Sequence, residues 1–398
     1  MNKFKLFLLI IVFLFGLINI AGAEEGVTDT EIHIGQWSPQ TGPAAPWGAV
    51  ARGTGVFFQL INEEGGIEGR KIVYHMFDDS YNPAKTKAGV KQLQESVGIF
   101  AWAAGIGSAT GLAVKEYLMS KNIPWVGPCS GSTQWTNPPQ KYLFSIYPLY
   151  ATEAKALCKY AVETLAKKKI GIIYQNDEYG KNGLIGATEE LKAHGLELTI
   201  SIPLDVETSD IKPHVLQARK SEAEAILLWV SPFHAVRIVG TGKMMKFSTQ
   251  WMTSSTCSDF PLMYSLSGGL WEGVIAATFS EFALSDVPDS PLMLKYKEAF
   301  KKFASKDERW SVFFWAGFGM VEPMIEAIKK CGKDLTRENF VKQMEGIKDF
   351  QGVAGKNITF KPFDEKDPSS RQGLNSVFLV QCIKDGGTKK LTDWMEFK

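Results

Sequence analysis

Ile99-Phe100-Ala101-Trp102-Ala103-Ala104-Gly105-Ile106-Gly107-Ser108-Ala109-Thr110-Gly111-Leu112-Ala113-Val114-Lys115-Glu116-Tyr117-Leu118-Met119 passes from an apolar run, through a glycine-rich turn, into apolar residues at helical spacing. The run Ile99–Ala104 reads as a buried strand and Leu112–Met119 as a helix. The turn Gly105–Gly111 therefore sits at a helix N-terminus, where free backbone N–H groups, the positive end of the helix dipole and the hydroxyls of Ser108 and Thr110 combine. Such a place holds anions or carboxylates. The glycines miss the dinucleotide fingerprint, because the third arrives one residue late. A tight strand-to-helix turn with no ligand is the other reading of the same residues.

The same strand, loop and helix order recurs on both sides. Glu31–Trp37 alternates as a strand, and a helix runs from about Ala49 to Asn62, with a glycine stop at Gly65-Gly66. Ile72–Phe77 is a second strand, followed by a helix from Ala84 to Glu95; Ile123–Val126 is a further strand beyond the opening stretch. This alternation predicts a parallel sheet with helices on both faces. Ligands on such sheets lie beyond the carboxyl ends of the strands, so loops 38–48, 78–83, 105–111 and 127–133 are expected along one edge. A second unit of the same kind follows Tyr147–Tyr150. Its helix spans about Glu153–Ala166, then come strand Ile170–Tyr174, exit loop Asn176–Gly180, and a helix of roughly Gly183–His194. Strands at Leu198–Ile202, Ala225–Val230 and Gln250–Met252 continue it, with helices at Ile211–Lys220 and Ala235–Met245 between them. Beyond Phe279 the order is less regular: helices over Pro291–Ala304, Phe313–Lys330 and Thr336–Gly346, extended residues Asn357–Phe360, and a last strand at Asn375–Ile383. The fold class is α/β, two doubly wound units.

The chain opens with Met1-Asn2-Lys3-Phe4-Lys5, an apolar run to Ile20, and Ala21-Gly22-Ala23 before Glu24. Basic start, short apolar core and small-residue exit are the marks of a secretory signal peptide, expected to be cleaved after Ala23. An uncleaved anchor is the alternative, and the run is short for a span. The remaining 24–398 fit two domains. With 44 Lys and Arg against 43 Asp and Glu, charge points to no nucleic-acid or membrane partner. The five cysteines are far apart and form no metal pair; in an exported chain the odd count leaves one free or paired between chains. The five histidines are scattered as well, so neither a metal nor another cofactor is expected.

Ile34-Gly35, Thr41-Gly42-Pro43, Trp47-Gly48, the run Ile61–Arg70, and Asp78-Asp79 with Asn82-Pro83 resemble the N-terminal signature of periplasmic binding proteins. More narrowly they resemble the branched-chain amino acid (leucine/isoleucine/valine) type that serves ABC importers; Tyr174–Gly180 and Thr359-Phe360 agree. The resemblance implies a type I periplasmic-binding-protein fold of two α/β lobes joined by three crossover strands. It implies ligand captured in the cleft between them by hinge closure, and delivery to membrane permease subunits. Lobe one would hold 24–147 plus 281–359 and lobe two 149–279 plus 362–398, with crossovers near 147–150, 279 and 360. A monomer in the periplasm is expected.

By the same resemblance the ligand's carboxylate falls to Ser108 and its backbone N–H, with Thr110 in support and Cys129, Ser130 and Ser132 supplying the second loop. Aromatic walls fall at Trp47 and Tyr179, with Phe233 and Phe313 as further candidates; Trp102 and Trp251 lie within strands and read as core. Two departures stand out. Where the amino-acid binders carry a glutamate for the ligand's ammonium, this chain has Thr253-Ser254-Ser255-Thr256, with Ser255 the nearest match. A buried ammonium without an acid is costly, so either Asp177 or Asp259 reaches it or the ligand has no α-ammonium. The family's lobe-one disulfide is also lost, its positions being Tyr81 and Gly107. Cys129 has no histidine base beside it in sequence and no Ser-His-Asp, carboxylate-pair or metal motif is assembled, which argues against an enzyme. A ligand-sensing clamshell for a signalling or chemotaxis receptor is the competing function, disfavoured by the lack of a fused signalling domain.

Overall fold

The computed structural model describes residues 24–397; the expected signal peptide, 1–23, lies outside the described residues. The first half runs β1 (Glu31–Ser38), α1 (Ala49–Glu63), β2 (Lys71–Asp78), α2 (Pro83–Ser96), β3 (Ala101–Ala103), α3 (Ser108–Ser120), β4 (Trp125–Val126) and β5 (Leu143–Phe144). Its strands make one parallel sheet in the order β2-β1-β3-β4-β5. All five strands therefore point the same way, and the loops after β1 to β4 share an edge, as the alternation predicts.

The second unit runs α4 (Tyr150–Glu163), β6 (Ile170–Gln175), α5 (Glu178–Ala193), β7 (Ile200–Leu204), α6 (Lys212–Lys220), β8 (Ala225–Trp229), α7 (Pro232–Met244), β9 (Gln250–Thr253), α8 (Phe260–Leu266) and β10 (Ile275–Thr278). After it come α9 (Pro291–Phe303), α10 (Val312–Gly319), α11 (Glu322–Cys331), α12 (Arg337–Glu345), β11 (Phe350–Gly352), β12 (Gly355–Ile358), β13 (Ser376–Cys382), β14 (Thr388–Lys390) and β15 (Met395–Glu396). The second sheet is β14-β13-β10-β9-β8-β6-β7, with β15 beside β13; β6 to β10 are parallel and β13 is antiparallel to β10. Because successive side chains of a strand point to opposite faces, Ala225, Leu227 and Met252 face the helices toward the centre of the molecule, while Ile226, Leu228 and Ala276 pack with α6 to α8 on the outer face.

The chain passes between the two sheets near 145–149, 279–290 and 359–375. The last passage is pinned beside the first: Ser145 N–H donates to the Arg371 carbonyl at 2.9 Å, and Gly373 N–H to the Ser145 carbonyl at 2.8 Å. Helices α9 to α12 return to cover the first sheet. Their approach to α1 depends on two glycines. A Cβ at Gly53 would sit 1.9 Å from the Phe314 carbonyl oxygen, and one at Gly317 2.0 Å from that of Val50.

Several elements differ from the sequence reading; α3, for one, starts at Ser108 inside the stretch read as a turn. The apolar stretch 313–330 is two helices, not one, because Pro323 has no N–H to continue the ladder and its ring meets the carbonyl one turn earlier. Helix α5 starts five residues before Gly183, since the Asp177 side chain accepts from the N–H groups of Tyr179 and Gly180 and caps it there. Helix α4 starts at Tyr150 rather than Glu153, which places Glu153 in its first turn among buried residues.

Candidate functional site: a closed aromatic cavity between the sheets

Loops from the carboxyl edges of both sheets meet around a cavity of about 70 Å³. From the first sheet come Trp47, Val50, Tyr81, Ile106, Gly107 and Cys129; from the passage and head of α4, Tyr147 and Tyr150. The second sheet's loops bring Tyr179, Ser255, Thr256 and Ser258, and the next passage Thr278, Phe279 and Ser280. Val312, Phe313, Trp315, Ala316 and Met320 of the α10 region, with Ala354, close it. The lining combines aromatic rings, aliphatic side chains and a few serine and threonine hydroxyls, and it includes no charged side chain.

The glycine turn has its shape for steric reasons. Gly107 has φ 101°, and a Cβ there would lie 2.5 Å from the Tyr81 ring and 2.7 Å from Thr110 Oγ1. The two positions that carry a disulfide in the resembled family are therefore in contact, with a tyrosine ring packed on a glycine. No side chain caps α3, whose first N–H groups start at this cavity wall.

The two edges are bonded across the cavity. Trp47 Nε1–H donates to the Thr256 carbonyl at 2.8 Å, and its ring meets Tyr179 edge-on at 6.0 Å. The Tyr179 hydroxyl joins Ser254 Oγ at 3.0 Å and Thr256 Oγ1 at 2.6 Å. Phe313 N–H donates to Asp259 Oδ2 at 3.1 Å. Ser132 Oγ donates to Glu178 Oε1 at 2.9 Å.

Of the residues singled out in sequence, Trp47, Cys129, Tyr179, Ser255 and Phe313 line the cavity. The others do not. Ser108 and Ser130 are fully buried and bonded to each other, Oγ to Oγ at 2.6 Å, behind Gly107 and Cys129. Thr110 turns its hydroxyl back onto the Ile106 and Gly107 carbonyls. Ser132 caps its own turn, accepting from Gln134 N–H at 3.2 Å, besides bonding Glu178. Phe233 is 37% exposed on α7, because the helix turns His234, bonded to Ser231 Oγ and the Thr208 carbonyl, inward instead. Trp102 and Trp251 are core, as read.

Neither Asp177 nor Asp259 lines the cavity: Asp177 caps α5, and Asp259 caps α8 and holds Phe313 N–H. The acid that touches Ser255 is Glu153, which sequence reasoning missed. Its Oε1 accepts from Ser255 Oγ at 2.6 Å and its Oε2 from Ser255 N–H at 2.9 Å. Ser255 Oγ is in turn 2.5 Å from the Tyr147 hydroxyl. A signal was present: Glu153 falls on the same helix stripe as Tyr150, Ala154 and Leu157, all buried. Burial pushes the Glu153 carboxyl up to about 8, against which the two Ser255 bonds pull down. Burial also holds the Tyr147, Tyr150 and Tyr179 phenols and the Cys129 thiol well above their usual ranges, so Cys129 is a thiol and no nucleophile. All five cysteines are free, and among the described residues no group of His, Cys, Asp and Glu is placed to hold a metal.

This architecture has known relatives. The family model described as periplasmic binding protein matches residues 31–387. The chain belongs to the periplasmic binding protein family. As a periplasmic binding protein it is a receptor for a solute, not an enzyme, and its place is the periplasm. It is 22% identical over 358 residues to the Leu/Ile/Val-binding protein homolog 8 of Brucella melitensis, covering 86% of this chain and 88% of that one. To homolog 3 of the same organism it is 29% identical over 155 residues, spanning only 41% of that relative. Two solved structures share the fold. The fatty acid ABC transporter substrate-binding protein from Thermomonospora curvata has a TM-score of 0.82 at 23% identity, covering 94% of this chain and 95% of that one. A branched chain amino acid ABC transporter protein from Thermus thermophilus with bound valine has a TM-score of 0.80 at 18% identity, covering 94% and 97%.

Proposed function

We propose that this periplasmic binding protein is the solute-binding component of an ABC importer, capturing a small carboxylate or amino-acid-like molecule and delivering it to the membrane permease. The observation that carries the reading is the cavity itself: it lies where the carboxyl edges of the parallel strands of two sheets face each other, walled by aromatic and aliphatic side chains with a few hydroxyls. In this reading lobe one is 24–147 plus 281–359 and lobe two 149–279 plus 362–398, hinged near 147–150, 279 and 360. The bonds from Trp47 to Thr256 and from Phe313 to Asp259 are then contacts of the closed state. Residues 1–23 direct export and are removed, and the mature protein acts as a monomer.

The N-terminus of α3 at Gly107 is the natural seat for the ligand's acceptor group, through backbone N–H groups and not the Ser108 hydroxyl, which Ser130 engages. With no charged residue on the wall, a ligand lacking an α-ammonium fits better than a free amino acid. The likeness to both a fatty-acid and a valine binder is compatible with a carboxylate of either kind. The test is a panel of branched amino acids, their deaminated acids, aromatic acids and amides. The matching ligand raises the melting temperature and shrinks the radius of gyration in solution scattering. A panel that leaves both unchanged counts against solute capture.

A further inference from the structure

We propose that Glu153, though absent from the cavity wall, determines which polar group the cavity accepts, acting as a positioning residue through Ser255 and Tyr147. The inference rests on the solute-binding reading and deepens it. Three oxygens stand in a row: Glu153 Oε1, Ser255 Oγ at 2.6 Å, and the Tyr147 hydroxyl 2.5 Å further on. Glu153 Oε2 is occupied by Ser255 N–H, so a proton on this carboxyl resides on Oε1, facing the row.

Proton counting fixes what the row shows the ligand. With Glu153 ionised, the Ser255 hydrogen is given to Glu153 and the Tyr147 hydrogen to Ser255. Both links are filled and only lone pairs are left for the cavity. With Glu153 protonated there is one hydrogen more than there are links. Glu153 donates to Ser255, Ser255 to Tyr147, and the Tyr147 O–H is left to donate to a ligand. The protonated row selects a carbonyl or carboxylate; the ionised row selects an ammonium.

The surroundings favour the protonated row at neutral pH. Glu153 is fully buried and makes no ion pair among the described residues, and desolvation raises its carboxyl to about 8. The phenols beside it are neutral at that pH. Tyr147 and Tyr150 feel its charge, and Tyr179 of α5 meets Tyr150 edge-on at 4.9 Å. Of the strands packed on α4, β10 has no titratable residue and β13 has only Cys382, at its far end. The charges that α5 brings further along the helix are Glu189, paired with Lys155 at 2.8 Å, and Glu190. The acid beyond the Ser255 turn, Asp259, is engaged with Phe313 and Leu262 N–H.

The experiment measures dissociation constants for matched probes: 4-methylpentanoate, its amide, leucine and 3-methylbutylamine, with phenylacetate and its amide as a second scaffold. They are measured from about pH 6 to about pH 9 on wild type and Glu153→Gln, whose amide N–H keeps the row polarised outward. Expected is binding of acids and amides over the amines at pH 6, weakening about tenfold or more by pH 9, with that loss absent in Glu153→Gln. Infrared spectroscopy of ligand-free protein reads the row independently: wild type shows a protonated-carboxyl carbonyl band at pH 6 that Glu153→Gln lacks. Three outcomes overturn the inference while sparing solute binding: no such band, preference for leucine or the amine at pH 6, or the same pH loss in Glu153→Gln. Failure of every probe to bind, with the band present, overturns the solute-binding reading and the inference with it.

Discussion

Trp47 is the residue in which packing and closure meet. Its ring packs at a tilt against Tyr81 at 5.4 Å on its own side and edge-on against Tyr179 on the other, and its indole N–H goes to the Thr256 carbonyl opposite. Trp47→Phe keeps most of the ring and deletes that bond. A neutral hydrogen bond contributes about 1 kcal/mol, so affinity should fall about fivefold while the unfolding midpoint of ligand-free protein moves little. Titration calorimetry and denaturant melts separate the two; unchanged affinity would mean the bond does not contribute to closure. The family resemblance pointed to Trp47, Cys129, Tyr179, Ser255 and Phe313, which line the cavity. It placed Ser108, Thr110, Ser130 and Ser132 on the wall as well, because a hydroxyl in a loop looks available until its partner is known. Each of these four spends its hydroxyl on a neighbour within the same buried layer or on Glu178.

At the scale of elements, the head of α5 deserves a test because its position aims Tyr179. Asp177 accepts from Tyr179 N–H at 3.0 Å and Gly180 N–H at 3.3 Å. Asp177→Ala should lower stability by about 1 kcal/mol, the usual cost of a lost cap. It should also weaken ligand binding, since Tyr179 sits in the first turn. Urea melts and calorimetry on the same variant check both, and a stability loss with wild-type affinity would show that the ring holds its place without the cap. The strands and most helices were legible, because period-2 and period-3.6 patterns survive in sequence. Helix starts were less so. The capping role of Asp177 and the inward turn of Glu153 depend on neighbours that no local pattern records, and an acid in a first helical turn ordinarily faces solvent.

For the whole molecule, buried acids govern the response to pH, Asp177 and Asp259 among them, both raised by burial. Burial raises Asp79 to about 6, Glu322 to about 7 and Glu153 to about 8. Between the ordinary carboxylate range and its raised folded value, each is protonated when folded and ionised when unfolded. Their stabilisation is complete below the unfolded carboxylate values and is lost as pH rises through the folded ones. The melting temperature should therefore fall from about pH 4.5 to about pH 8 and level off above, and Glu153→Gln should make that fall shallower, most visibly between about pH 7 and about pH 8; a flat or rising wild-type curve contradicts the assignment. In the acid half of that range His234, held low by desolvation, works the other way. What the sequence determined by itself was the α/β alternation, the two units, the family signature and the edge along which a site must lie, since these follow from hydrophobic period, glycine placement and strand direction. Only the tertiary structure decided which hydroxyls face the cavity, that Tyr81 packs on Gly107, and that Glu153 stands behind Ser255. These depend on residues distant in sequence, such as Glu153 and Ser255, meeting when the loops of the two sheets come together.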